Sequence, residues 1–394
     1  MKENRIIQEQ CTGCGLCYTV YGCEFDRNNE GFFAPKIDKR NPLVGGKWKK
    51  LCPMVYYHFV DTFSLWGNYL NTYKGYSTDP VIRYRASSGG VLTELAIYLL
   101  ESKTVDGIIQ TKAKRDNPLE TETIVSHCRE DVLECMGSRY IGSAPLMNIL
   151  SLIKNGKKYA FVGKPCDVLA LKNYMDINES MRTKIVITIS FFCAGMPSLI
   201  ANQKLVETMG CELQMLAGLQ YRGCGWPGFT TAIDQEGLEY KMDYQTAWGQ
   251  YLGRDVKNIC RLCMDGIGER ADIVCADLWY LDKQNKPDFT EHDGRNIIFC
   301  RTELSEKIIK EVQNEGNICI QRFTEEMDNF KFYQPYQFTR RTTMKYRVLA
   351  MKLLGHSVPE YNKKLLSNAS RYSTVRENWR IFKGTIKRIL QRKI

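Results

Sequence analysis

The sequence predicts a mixed, partly parallel α/β fold (α+β overall). A small cysteine-rich module precedes it and a basic, helical tail follows it. Three observations carry this reading. Apolar, β-branched runs such as "KKYAFVG" and "KIVITISFFC" alternate with segments of helical period, the pattern of buried strands joined by crossover helices. Cysteines at fixed spacing crowd the first 52 residues, where apolar periodicity is weak. From Pro335 to Ile394 fifteen Lys or Arg stand against two Glu; this segment carries +13 of charge in a chain of net +11, so residues 1–334 sit near −2. The chain accordingly divides into a module at 1–60, two parts of one α/β region at 73–150 and 155–325, and a tail at 335–394.

With 394 residues, 44% hydrophobic and 25% charged, the composition is that of a globular protein with ample core. No run of 18 or more apolar residues is present, so no membrane span is expected. The opening "MKENRIIQEQ" lacks the apolar stretch of a secretory signal, which places the expectation in the cytoplasm. There, sixteen cysteines read as metal-binding or catalytic rather than as disulfides. With four histidines only, thiolate ligation suits iron–sulfur chemistry better than a histidine-rich centre. The near-neutral body counts against nucleic-acid binding.

In chain order, "GFFAPKID" (Gly31–Asp38) reads as a strand with an edge proline, and Phe63, Trp66, Tyr69, Tyr73 and Tyr76 mark an aromatic connector. "VIRYRASSGGVLTELAIYLLES" reads as a helix that Ser87 or Ser88 can cap, with Val91, Leu92, Leu95, Ile97, Tyr98 and Leu99 as its apolar face. "VDGIIQTK" is a turn and strand, and "MGSRYIGSAPLMNILSLIKNG" a loop leading into an amphipathic helix. Strand, loop and helix follow as "KKYAFVG", "KPC" and "DVLALKNYM", then a long strand "KIVITISFFC", a Gly-rich loop "YRGCGWPGFT", a Cys-pair loop entering a strand in "CRLCMDGIGERADIVCADLW", and a last strand in "NIIFCRT".

Cys11, Cys14 and Cys17 form Cys-x-x-Cys-x-x-Cys, which resembles the cluster-binding run of bacterial ferredoxins. In the two-cluster form of that motif a remote Cys-Pro completes the first cluster. Here Cys52-Pro53 is the surviving Cys-Pro, giving the set Cys11, Cys14, Cys17 and Cys52 for one 4Fe–4S cluster, with Cys23 left over. Structural zinc is the alternative, although zinc usually takes paired Cys-x-x-Cys knuckles. A second set is dispersed: Cys166 and Cys193 end two strands, and Cys260 and Cys263 form a Cys-x-x-Cys loop. If the strands are parallel neighbours, their thiols share the carboxyl edge where open α/β sheets place ligands. From spacing alone, a second cluster and ordinary buried cysteines both stay open.

The motifs "RYRASSGGVLTELAIYLLE", "GSRYIGS", "YAFVGKPCDVLALK", "ISFFCAGMPS", "RGCGWPG" and "CRLCMDGIGERADIVCADLW" occur in order. Together they resemble the beta subunit family of coenzyme F420 hydrogenases and dehydrogenases, from about Tyr73 to Phe323. The resemblance implies FAD, two 4Fe–4S clusters and electron transfer between a two-electron carrier and one-electron centres. It also implies that Cys166, Cys193, Cys260 and Cys263 match the family's cysteine positions, and that Ser87, Ser88, Gly89 and Gly90 lie on the flavin side. There glycines allow close backbone approach and a helix N-terminus favours the pyrophosphate. Ser138, Arg139 and Tyr140 would bond or stack on the flavin, and Lys164 would face its phosphate or its N1/C2 region. Arg222, Trp226 and Asp277 are weaker candidates, with Trp226 and Trp279 equally suited to the core. No acid–base pair is assignable. Some bacterial relatives accompany surface-polysaccharide synthesis, so the expected substrate is F420-like or a sugar intermediate, and the expected partner a redox protein or ferredoxin. A non-catalytic electron-transfer subunit is the alternative. In the tail, Trp379, Phe382, Ile386, Ile389 and Leu390 recur at helical spacing among cations, as in a helix lying on an anionic membrane.

Overall fold

A computed structural model describes residues 9–36, 43, 47–55 and 64–391. It is a mixed α/β structure built on one large sheet, as the strand–helix alternation predicts. The N-terminal module contributes the helix Leu16–Tyr21 and an antiparallel hairpin of β1 (Phe25–Arg27) and β2 (Phe33–Pro35). Pro35, paired with Phe25 at the end of this two-stranded unit, is where a residue without an N–H donor is tolerated. Residues 37 and 38 of the expected strand, and Phe63 of the aromatic connector, lie outside the described residues.

The large sheet contains β3 (Asn71–Ser77), β4 (Gly107–Ala113), β5 (Thr121–Ser126), β6 (Tyr159–Val162) and β7 (Ile185–Phe191). A small antiparallel sheet then intervenes, made of β8 (Leu216–Gln220), β9 (Phe229–Asp234) and β10 (Glu239–Asp243), followed by β11 (Ile273–Asp277), the ribbon β12 (Tyr280–Leu281) and β13 (Pro287–Asp288), β14 (Asn296–Cys300) and β15 (Ile318–Arg322). The large sheet has the order β15-β3-β14-β11-β7-β6-β4-β5. Its centre, β11-β7-β6-β4, is parallel, and antiparallel strands flank it on both sides.

Period-2 alternation explains how the sheet is held. Ala160, Ile187, Ile189, Ile273, Cys275 and Ile298 face one buried cluster, roofed by the helices Val91–Glu101 and Glu303–Asn314 through Leu95, Leu99, Ile308 and Val312. Tyr159, Phe161, Val274, Ile297 and Phe299 face the other, under Val168 and Leu171 of the helix Pro165–Ile177. Each such aliphatic or aromatic side chain contributes about 1.5–3 kcal/mol when fully buried.

Three local expectations change. The helix Val91–Glu101 is capped by Gly90 rather than by Ser87 or Ser88. Gly90 takes φ +81°, and the Asn296 carboxamide oxygen accepts from the Val91 N–H, so a serine cap is not needed. The amphipathic helix expected after "GSRYIGS" is only the turn Ile149–Leu152, because the preceding segment is tied to the module: Leu146 N–H donates to Cys14 C=O. The aromatic connector contains β3, which pairs with both β14 and β15. The tail is helical, in Pro335–Thr342, Met344–Leu353, Lys363–Ala369 and Val375–Leu390. Among the described residues no helix is long and apolar enough to cross a membrane.

Candidate functional site

The Cys-x-x-Cys-x-x-Cys loop is shaped by Gly13 and Gly15, both with positive φ. Gly15 has no room for a side chain, since a Cβ there would lie 2.8 Å from Met147. Cys11, Cys14, Cys17 and Cys52 line one apolar concavity with Leu16, Trp48 and Pro53. The Gly13 N–H points at Cys11 Sγ at 3.3 Å. Cys23 does not line this concavity; it is buried in a small cluster with Leu43 and Trp48 and its thiol bonds to that of Cys17. Burial pushes the Cys14 and Cys52 thiols up to about 12, so these sulfurs are neutral thiols unless a cation draws off the proton.

The second set gathers at the carboxyl edge of the parallel strands. β6 and β7 are parallel neighbours. Cys166 follows β6 in the first turn of the helix Pro165–Ile177, and Cys193 follows β7. Cys260 lies within the turn Asn258–Arg261 and its carbonyl accepts from Cys263 N–H at 3.4 Å. Cys193 N–H donates to Gly266 C=O at 2.8 Å, which ties strand end to Cys-pair loop. Burial and then the Asp167 carboxylate raise the Cys166 thiol, with Cys193 and Cys263 adding to the effect. Burial likewise lifts Cys193 to about 11 and Cys263 to about 12.

Among the described residues no three His, Cys, Asp or Glu converge on one ion-sized point. Cys52 of the first set and Cys260 of the second pack against the same buried cluster, which includes Met54, Ile259, Leu262 and Met264.

The basic tail closes over the second set. Arg340 is 1% exposed and donates to Cys193 C=O at 2.7 Å, joined there by Gln337. Arg341 is ion-paired to Glu269 at 2.5 Å and donates to Met264 C=O. Tyr361 donates to Leu262 C=O. The charge count assigns these cations to a basic tail but carries no address. Ile389, assigned to the membrane-facing stripe, is buried with Met344 and Val348, whereas Trp379 and Leu390 are 56% and 71% exposed.

The flavin-side candidates form three loops on this same edge of the molecule. Ser138 Oγ donates to Ser87 Oγ at 2.9 Å, joining the first two. Lys164 Nζ donates to Ser143 Oγ at 2.6 Å and pairs with Asp167 at 2.7 Å. Burial works against its charge, but Asp167 and the Cys166 thiol hold its pKa above the ordinary lysine value. Ser88 is engaged elsewhere, donating to Arg295 C=O and accepting from Asn296. Gly89 is a close-approach glycine against that same segment, where a Cβ would meet Asn296 Oδ1 at 2.8 Å. Arg139 has a buried Nε without a partner, the kind of orphaned donor a ligand satisfies. Tyr140 stacks edge-on to Tyr221 and beside Trp248. Arg222 forms a two-pronged pair with Asp277 at 2.8 and 3.1 Å, and Trp226 Nε1 donates to the same carboxylate at 2.9 Å. Trp226 stacks on Trp279, ring centroids 4.7 Å apart. The sequence reading missed Asp167, Ser143 and the Arg340–Tyr361 cover. Asp167 alone had a local signal, its place directly after Cys166.

The fold and the site define a mixed α/β protein that presents cysteines and a lysine at the carboxyl edge of a four-strand parallel core. The family follows from the sequence matches: residues 72–151 match the N-terminal and residues 156–326 the C-terminal region of the coenzyme F420 hydrogenase/dehydrogenase beta subunit, and the chain belongs to that family. It is 25% identical over 249 residues to the F420-dependent formate dehydrogenase subunit beta of Methanocaldococcus jannaschii, covering 63% of this chain and 61% of that one. It is 28% identical over 264 residues to the coenzyme F420 hydrogenase subunit beta of Methanosarcina barkeri, covering 64% and 81%. A chain of the F420-reducing NiFe hydrogenase complex from Methanosarcina barkeri shares the fold, with a TM-score of 0.57, 21% identity, and coverage of 77% of this chain and all of that one. The family match ends at residue 326, so the tail lies beyond it.

Proposed function

We propose that the chain is an iron–sulfur flavoprotein oxidoreductase. It would hold one 4Fe–4S cluster on Cys11, Cys14, Cys17 and Cys52, a second on Cys166, Cys193, Cys260 and Cys263, and FAD along the loops bearing Ser87, Ser138, Arg139 and Lys164. The observation that supports it best is the contact of Cys52 and Cys260 with one buried apolar cluster, which brings two sets of four thiols together within one packed body. FAD, when bound, supplies exchange between hydride and single-electron transfer. Arg139 offers an unpaired donor to an acceptor on the ligand. Lys164 keeps its positive charge beside both the flavin-side loop and Cys166, which favours negative charge developing there. The substrate would be F420-like or a sugar intermediate of surface-polysaccharide synthesis, and the electron partner a ferredoxin or redox subunit. Anaerobic purification should give roughly eight iron atoms, matching sulfide and one FAD per chain; zinc in place of iron refutes the proposal.

A second reading is an electron-transfer subunit without substrate chemistry of its own. It is favoured by the relatives, which are named as subunits of hydrogenases and dehydrogenases. Reduction of a small substrate by the isolated chain with a chemical donor separates the two, since only the enzyme does it. Peripheral contact with an anionic membrane would rest on exposed Trp379 and Leu390 among the tail cations. Co-sedimentation with anionic liposomes checks it.

A further inference from the structure

Four arginines crowd together where the tail meets the Cys260–Cys263 loop. Arg261 comes from the turn Asn258–Arg261, Arg340 from Pro335–Thr342, Arg347 from Met344–Leu353 and Arg388 from Val375–Leu390. The Nε of each is buried and has no hydrogen-bond partner. Arg340 is accounted for, because it faces the thiols of Cys263, Cys193 and Cys260 and bonds Cys193 C=O. The other three are not. Arg261 and Arg347 reach only backbone carbonyls, of Arg254 at 2.6 Å and Arg261 at 3.4 Å, and Arg388 donates to no side chain or carbonyl among the described residues. None of the three has a carboxylate within ion-pair distance among the described residues. Burial, then Arg388, Arg340 and Arg261, bring Arg347 down to about 10, which records how closely the like charges are packed. The Tyr336 hydroxyl, which acts electrostatically on both Arg347 and Arg388, is already committed to Ala194 C=O at 2.9 Å.

In each of the three the Nε is sealed from solvent without a partner while the side chain as a whole is half-buried, and a buried donor left unsatisfied costs free energy. Guanidinium forks approaching from separate elements are the usual way proteins hold tetrahedral oxyanions. We propose that Arg261, Arg347 and Arg388 form a binding site for a phosphoryl group, carried either by free inorganic phosphate or by a phosphorylated organic ligand. Two of its three arginines, Arg347 and Arg388, lie beyond the family match, which ends at residue 326, and the site does not depend on the redox reading. An anion there would lock the two tail helices to the Cys-pair loop.

The test uses the full chain in a phosphate-free buffer, with sodium chloride matched for ionic strength. Phosphate, pyrophosphate and methyl phosphate are titrated while thermal stability and the phosphorus-31 linewidth are followed. A saturable rise in Tm beyond the chloride control is expected, with Arg347→Gln and Arg388→Gln each weakening the apparent affinity about tenfold or more and iron content unchanged. Arg388→Lys should retain part of the response, which keeps the test valid if a glutamine variant folds poorly. Methyl phosphate binding as well as phosphate identifies an organic ligand's phosphoryl group; preference for phosphate identifies the free ion. A shift equal to that of chloride, or an unchanged response in the variants, overturns the site. So does a Tm raised by Arg388→Gln without any loss of phosphate response.

Discussion

Cys23 and Cys52 illustrate how position decides the role of a thiol. Cys52 lines the concavity with the three loop cysteines, whereas Cys23 is packed behind it against Leu43 and Trp48. Cys52→Ala should therefore cost the chain about half its iron, and Cys23→Ala should keep the iron while lowering Tm through a small cavity; iron analysis with thermal melts of both variants checks this, and the reverse pattern would make Cys23 the ligand. Glu94 gives a second prediction at this scale. It is buried near the start of its helix and accepts from Ser77 at 2.6 Å, and burial raises its pKa above the ordinary glutamate value. A raised folded pKa means that the carboxylate's stability contribution is largest below its unfolded pKa and is lost as pH rises through the folded one. Glu94→Gln keeps the acceptor and removes that loss, so the variant should melt about 1–3 °C above the parent near pH 7.5, and the gap should close as pH falls toward the unfolded glutamate range. A gap independent of pH would exclude the charge as its cause. The cysteine ligand candidates were legible because cluster chemistry fixes spacing along the chain. The Ser143 partner of Lys164 was not, since a hydrogen bond across 21 residues leaves no periodic trace.

Among the elements, the tail differs most from its sequence reading. Its helical character was legible from the period of Trp379, Phe382, Ile386, Ile389 and Leu390, and in the structure Thr374 and Glu377 form a capping box at the start of that helix. Its address was not, because arginines read as solvated charge unless their partners are known. Arg340 and Arg341 are each 1% exposed, and Arg341 bridges Glu269, Met264 C=O and Ser64 C=O. Removing one partner of such a pair leaves a charge buried in the other. Arg341→Met should thus cost about 3–5 kcal/mol in chemical denaturation, and the double variant with Glu269→Gln should recover much of it. Additive losses in the double variant would show that the pair is not coupled. Strand β3 was hidden for a related reason. Its sequence "NTYKGYS" alternates poorly, and Gly75 is needed because a Cβ there would lie 2.4 Å from Cys319 C=O across the sheet. Neighbouring strands, rather than its own residues, make it a strand.

For the whole molecule, what matters is that the module, the sheet edge and the tail are one packed body. Lys257 Nζ donates to Phe33 C=O at 2.7 Å, Asn173 reaches Leu51 C=O, and Leu146 N–H bonds Cys14 C=O, so the first thiol set is clamped onto the body that carries the second. The parallel core was legible from "KKYAFVG" and "KIVITISFFC", and with it the edge where Cys166 and Cys193 emerge. The contact between the two thiol sets was not legible, because it runs through Met54, Ile259 and tail residues far apart in sequence. This contact makes a prediction specific to the assembled chain. With both sets holding clusters, the prediction is that the reduced centres interact magnetically. The fully reduced protein should give an EPR spectrum broadened by spin–spin coupling, and Cys52→Ala or Cys263→Ala should each leave a simple signal from the surviving cluster. A parent spectrum equal to the sum of the two variant spectra would mean that the clusters do not communicate through this shared cluster of side chains. Electrons would then have to leave each centre by a separate route.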